Sequence, residues 1–207
     1  TDSVFYDPED NYFEMHYPDV EAQGVLLQSL AISPEGLLSI GGYMRGASIY
    51  DTNSESYLHN MPTFHQPEGI GFMNGSTYFG TYTGGVIYRY NPEKPFNYRE
   101  DITGNPGIVY DIEDDQDRPF VIKNHENKRF IATIPTYGKL GGALTIYEEN
   151  ADGSLKDARV YRNIIENQSI VGVAYKDGIV YVSSYIQGGL GSTPTESEAK
   201  IAMVDEA

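Results

Sequence analysis

His65, Tyr43 and Arg45 form a set with the side-chain types that β-elimination needs. An Arg can neutralise a uronate carboxylate, while a His or Tyr removes the α-proton and protonates the leaving oxygen. The plainer reading of the three is loop decoration. A second set is aromatic. Tyr43, Tyr82, Tyr137 and Tyr185 each precede a glycine by a few residues (Gly46, Gly84, Gly138 and Gly188). Tyr offers an apolar plate with a hydrogen-bonding tip, which suits a sugar. Tyr82, Tyr137 and Tyr185, with Glu68, are therefore the candidate ligand-binding residues; the competing account is packing between repeats. A third set is acidic. Asp114, Asp115 and Asp117 lie in the run DIEDDQD, where a Ca²⁺ site competes with a solvated turn. No cofactor is required by any of these readings, and Ca²⁺ is the one the carboxylates invite.

Several chemistries lack their residues. With no cysteine there are no disulfides and no thiolate metal sites. Of the four histidines, His16, His59 and His125 read as surface groups on rim strands or in a turn, which disfavours a three-His metal site. There is no Gly-x-Ser-x-Gly elbow, and no Gly-rich loop leads from a strand into a helix. The run GGLGSTPT at 188–195 opens no helix and reads as a long loop, for ligand contact or for none. The formal net charge of −16 repels nucleic acid and anionic membranes, and the few basic residues are scattered. That acidity serves solubility or a cation-rich extracellular setting, so an extracellular or cell-surface location is expected. No run of 18 apolar residues is present to span a membrane. The chain starts at Thr1 rather than Met, so a processed or excised piece is expected.

The elements that must position these residues are strands. No window carries apolar residues at helical spacing over three turns, and the 18 Tyr, 22 Gly and 11 Pro suit many short strands between tight turns. A repeat runs through the chain. The stretches SVFYDPED, ASIYDTNS, VIYRYNPE, LTIYEENADG and IAMVDEA each end a strand in an aromatic or aliphatic residue followed by an acid or amide. Their marks, Tyr6, Tyr50, Tyr90, Tyr147 and Val204, are spaced by 44, 40, 57 and 57 residues. Such a period fits propeller blades. Four marks follow a hairpin, with turns at Ser33–Gly36, Asn74-Gly75, Asn124–Asn127 and Asp177-Gly178. An outer strand follows each of the first four marks, at 12–17, 56–60, 97–101 and 158–162. The last unit, Ser169–Asp205, lacks one. Lettering strands a to d from centre to rim, the chain reads cd, abcd, abcd, abcd, abc.

The stretch LLSIGGYMRGASIYDTNSESYLHNMP at 37–62 resembles a kelch blade, with its Gly-Gly pair, the strand ending Tyr-Asp and the aromatic-bearing outer strand. The last unit is more similar to lactonase- and quinoprotein-like repeats. The resemblance to the β-propeller superfamily implies an all-β fold of four-stranded antiparallel blades. The divisions are a partial blade at 1–18, blades at 25–62, 68–101 and 118–162, and an incomplete one at 168–207. Both termini supply a strand c, so a fragment of a six- to eight-bladed ring is expected, completed by remaining blades or another chain. The resemblance also implies that the d–a and b–c loops share one face, which would gather the four tyrosines, His65 and Arg45 around the channel mouth. Three functions remain open: a binding module for a glycan or protein loop, a lyase or lactonase, and a structural part of a larger assembly.

Overall fold

The computed structural model describes residues 3–16, 24–150 and 154–205, and every described element is a strand. The hairpin of β1 (Ser3–Asp7) and β2 (Tyr12–His16) stands as a two-stranded sheet. The first four-stranded sheet comprises β3 (Leu27–Ile32), β4 (Leu37–Gly42), β5 (Ala47–Asp51) and β6 (Ser56–Met61). The second has β7 (Gln66–Met73), β8 (Ser76–Tyr82), β9 (Val86–Tyr90) and β10 (Gly107–Asp111). The third has β11 (Gln116–His125), β12 (Lys128–Pro135), β13 (Ala143–Glu149) and β14 (Leu155–Arg162). The last sheet has three strands, β15 (Ser169–Lys176), β16 (Ile179–Tyr185) and β17 (Ile201–Asp205). All pairing is antiparallel between sequence neighbours. The inner strands pack in series, β3 on β7, β7 on β11 and β11 on β15.

The turns follow from residue type. Asn74-Gly75 and Asp177-Gly178 both place two successive residues at positive φ, which an Asn-Gly or Asp-Gly hairpin tolerates. The core lies between sheets rather than within one. Ala47, Ile49, Met61 and Phe64 meet Phe79, Tyr88 and Tyr90 between the first and second sheets. Tyr78 and Ile87 meet Ile122, Ile131 and Tyr147 between the second and third. Phe130, Leu144 and Ile146 meet Ile170, Val180 and Val182 between the third and last. A sheet covered on both faces needs apolar residues at consecutive positions, which is why β12 reads RFIATIP without alternation.

One strand lies elsewhere than expected. The rim strand of the second sheet is β10, and residues 97–101 are outside that sheet. Asn105 accounts for the detour. It is buried, its Nδ2 donates to the carbonyls of Asn91 (2.9 Å) and Lys94 (3.0 Å), and its Oδ1 accepts from the Asn91 amide (2.7 Å). The loop closes on that side chain through an isolated bridge between Asn97 and Asn105. Residues 112–115 alone join β10 to β11.

Two devices repeat in the blades. Each inner strand carries a β-bulge at the same register, at Gln28, Glu68, Phe120 and Val171. A bulge re-aims a side chain while the ladder continues on both sides. A hydroxyl also closes the base of the b–c loop in three sheets. Thr81 Oγ1 donates to the Val86 carbonyl (3.0 Å), Thr133 Oγ1 to Ala143 (3.2 Å) and Ser184 Oγ to Lys200 (3.1 Å). Gly42 holds that position in the first sheet, and its amide bonds the Gly46 carbonyl instead (2.8 Å).

Candidate functional site

Glu68 is the residue around which polar groups gather. Its bulge aims the carboxylate between the inner strands of three sheets, where its side chain is 1% exposed. Burying a carboxylate is costly unless donors surround it. Gln28 Nε2 donates to Oε2 (2.9 Å), Gln66 Nε2 donates to Oε1 (2.7 Å), and Arg118 Nη1 pairs with Oε1 (2.7 Å). Gln66 is fixed in turn, because its Oε1 accepts the Met44 amide (2.6 Å). One donor comes from each of the three sheets, so the carboxylate ties their inner strands together.

Arg118 carries this network to the surface. Its guanidinium carbon lies 4.0 Å from the centroid of the Tyr82 ring, a cation–π contact. The Tyr82 and Tyr137 rings are near-parallel (15°) with centroids 6.2 Å apart, and Tyr82 OH donates to Tyr137 OH (2.9 Å). That hydrogen bond pushes the Tyr82 phenol above its ordinary value. The two rings belong to adjacent sheets, and Tyr137 is half exposed. Buried carboxylate, guanidinium and aromatic pair thus form one column that ends in solvent with two phenols.

The other expected residues fall as follows. Tyr43, Tyr82 and Tyr185 share one register at the end of strand b, but the third sheet has Ile134 there, and Tyr137 lies three residues further along. Tyr43 and Tyr185 are exposed and make no side-chain hydrogen bond to the Tyr82–Tyr137 pair. His65 does not join Tyr43 and Arg45. Its Nε2 lies 3.5 Å from Glu100 Oε1 and its ring stacks on Tyr88 at 5.8 Å, toward the rim, while the next residue, Gln66, faces the Tyr43–Arg45 loop. His65 is the last residue before β7, and Gln66 is the first residue within it.

The three acids diverge as well. Asp114 pairs with Arg162 (2.9 Å), Asp115 with Lys139 (3.2 Å), and buried Asp117 accepts the Gly84 amide (2.7 Å). Among the described residues no group of three or more His, Asp or Glu side chains is placed to hold a metal ion. The GGLG run is a clasp between loops: Gly138 donates to the Leu190 carbonyl and Gly189 to the Lys139 carbonyl (both 2.9 Å). A Cβ on Gly189 would lie 1.9 Å from the Thr136 carbonyl oxygen, so glycine is required for that approach.

Sequence reasoning missed Gln28, Gln66 and Arg118. Gln28 and Glu68 share a register only once the bulges are counted, and a bulge leaves no composition signal. No family model and no curated protein matches the sequence. Solved structures do match in shape. Dihydro-heme d1 dehydrogenase NirN, in complex with DHE, is 12% identical over 99% of this chain, with a TM-score of 0.56. Kluyveromyces lactis Hsv2 is 16% identical over 87% of this chain, with a TM-score of 0.51. The fold is an incomplete β-propeller. This chain spans 40% of the NirN chain and 55% of the Hsv2 chain. No kelch or lactonase kinship is shown.

Proposed function

We propose that this arc of blades is a binding module that takes a neutral, hydroxyl-rich ligand such as a glycan at the Tyr82–Tyr137 pair. The observation that carries the reading is the paired phenols on adjacent blades, backed by Arg118 and buried Glu68. Two near-parallel rings offer an apolar surface, and their hydroxyls and the Arg118 guanidinium, whose Nη2 lies 3.5 Å from Tyr137 OH, offer donors and acceptors at its border. Glu68 neutralises Arg118, so the column has no net charge to recruit an anion. The chain's charge of −16 works in the same direction. NirN, which this chain resembles in shape, is seen in complex with DHE. The His65 ring contacts Glu100 and Tyr88 while Gln66 faces the Tyr43–Arg45 loop, which favours binding over elimination.

The test is calorimetric titration with a panel of neutral and uronic oligosaccharides, alongside ultraviolet monitoring for unsaturated product. Saturable binding to a neutral member without turnover is expected, weakened at least about tenfold (1.4 kcal/mol) in Tyr82→Ala and in Tyr137→Ala. Tyr185→Ala serves as the control and should bind as the parent does. Binding that survives both substitutions, or an unsaturated uronate product, would sink the reading.

A further inference from the structure

The register that repeats in every sheet allows positions to be compared from blade to blade, and the comparison singles out the two ends of the arc. Leu30, Ile70, Ile122 and Val173 are equivalent on strand a, and Ile40, Phe79, Ile131 and Val182 on strand b. In the second, third and last sheets this face is covered by the sheet before it: Phe79 and Ile131 are 0% exposed and Val182 is 1%. In the first sheet the same face is open, with Leu30 at 62% and Ile32 at 56% exposure. A cleft of about 360 Å³ lies on that sheet, lined by Val25, Leu27 and Ile40 with Arg45 at its border.

The opposite face obeys the complementary rule. Strand c puts Ala47 and Ile49, then Ile87 and Arg89, then Leu144 and Ile146, under the following sheet; the five apolar members are 4%, 0%, 0%, 0% and 8% exposed. The equivalent pair in the last sheet is Ile201 and Met203, at 77% and 71%. Apolar side chains of this size normally lose most of their contact with water in such positions. Beside them Tyr181, across the ladder from Met203, is also exposed. Each end of the arc therefore presents half of the interface that its interior makes three times.

We propose that these two faces are the halves of a further blade–blade interface, each taking a blade of this same repeat. In the purified chain a second copy supplies that blade, with the β16–β17 face of one molecule against the β3–β4 face of another. The argument is continuity with the packing already present: the open positions are the ones that the inner blades bury. The contact is heterologous, since the two surfaces differ.

Sedimentation velocity over a wide range of concentration tests this. The chain should self-associate, and Leu30→Glu or Met203→Glu should each weaken association at least about tenfold. Both positions are exposed, so the variants should keep the parent's circular dichroism and urea midpoint; Ile201→Lys replaces either one that does not. The sequence has no cysteine, so a mixture of Leu30→Cys and Met203→Cys chains should form a mixed disulfide dimer faster than either alone. A chain that is monomeric throughout would overturn the proposal. So would association untouched by these changes but abolished by a lysine on the open edge of β17, because that marks strand addition at the edge.

Discussion

Replacing Arg118 by Met removes one partner of a pair whose other partner is almost fully buried. Glu68 has 1% of its side chain exposed, against 22% for Arg118, at 2.7 Å. Breaking a buried pair from one side costs roughly 3–5 kcal/mol. Two features reduce that here: the Gln28 and Gln66 amides still donate to the carboxylate, and Arg118 was only partly dehydrated. About 2–3 kcal/mol is the expected loss, which for a chain of this size lowers Tm by roughly 4–12 °C. Glu68→Gln should cost less, about 1–2 kcal/mol, because it strands a guanidinium that can reach water. The double variant should be milder than the sum, with a coupling of at least about 1 kcal/mol. Urea unfolding of the four proteins measures the cycle, with equal m-values as the check that the unfolded state is unchanged. Additive losses of under about 0.5 kcal/mol each would refute the claim that Glu68 is the centre of the site.

Two further outcomes follow from side chains buried between the sheets. The Arg129 guanidinium is 0% exposed, lies 3.1 Å from the centroid of the Tyr78 ring, and has no hydrogen-bond partner for any of its nitrogens. The equivalent positions are Leu38, Thr77 and Val180, none of them charged, so Arg129→Leu should leave stability within about 1 kcal/mol of the parent or raise it, by urea midpoint; a loss above about 3 kcal/mol would show a partner that the geometry lacks. Burial pushes the Tyr147 and Tyr88 phenols up to about 12. A raised phenol favours the folded state while it is protonated, so stability is intact below about 10 and is lost as pH rises from there toward 12. Phenolate absorbance should show a class of tyrosines titrating late, together with unfolding; a single class near 10 in a chain that stays folded would contradict this.

Much of the fold was legible because it is written in local chemistry. Asn74-Gly75 and Asp177-Gly178 name their turns, and the strand-c marks end in residues that stop a strand. The rim strand of the second sheet was not legible. Residues 97–101 alternate as a strand would, yet Tyr98 packs edge-on against Phe64 at 5.1 Å, beside the sheet rather than in it. What places it there is Asn105, whose three-way hydrogen bonding is a property of a closed loop and not of a sequence window. The candidate site was legible by halves. Tyr82, Tyr137 and Glu68 were named from residue type, whereas their partners on neighbouring blades depend on bulge positions that no periodicity records.

The same bulge explains why the site stands where it does. Gln28, Glu68, Phe120 and Val171 are one position in four blades, and only one of them is charged. Gln66, Arg118 and Ser169 are likewise one position, and only Arg118 is long and cationic. A repeat fold holds its shape through what the blades share: the bulge and the apolar faces. Those shared features carry no specificity, because every blade has them. Specificity must come from where blades differ. Two of these differences, Glu68 and Arg118, fall on adjacent blades, close enough to pair at 2.7 Å. Were the Glu68–Arg118 pair only a structural clasp, its equivalents between the other blades would be expected to keep it; Phe120 and Val171 do not. That asymmetry sets the second and third blades apart and directs the search for a ligand to Tyr82 and Tyr137 rather than to all four tyrosines equally.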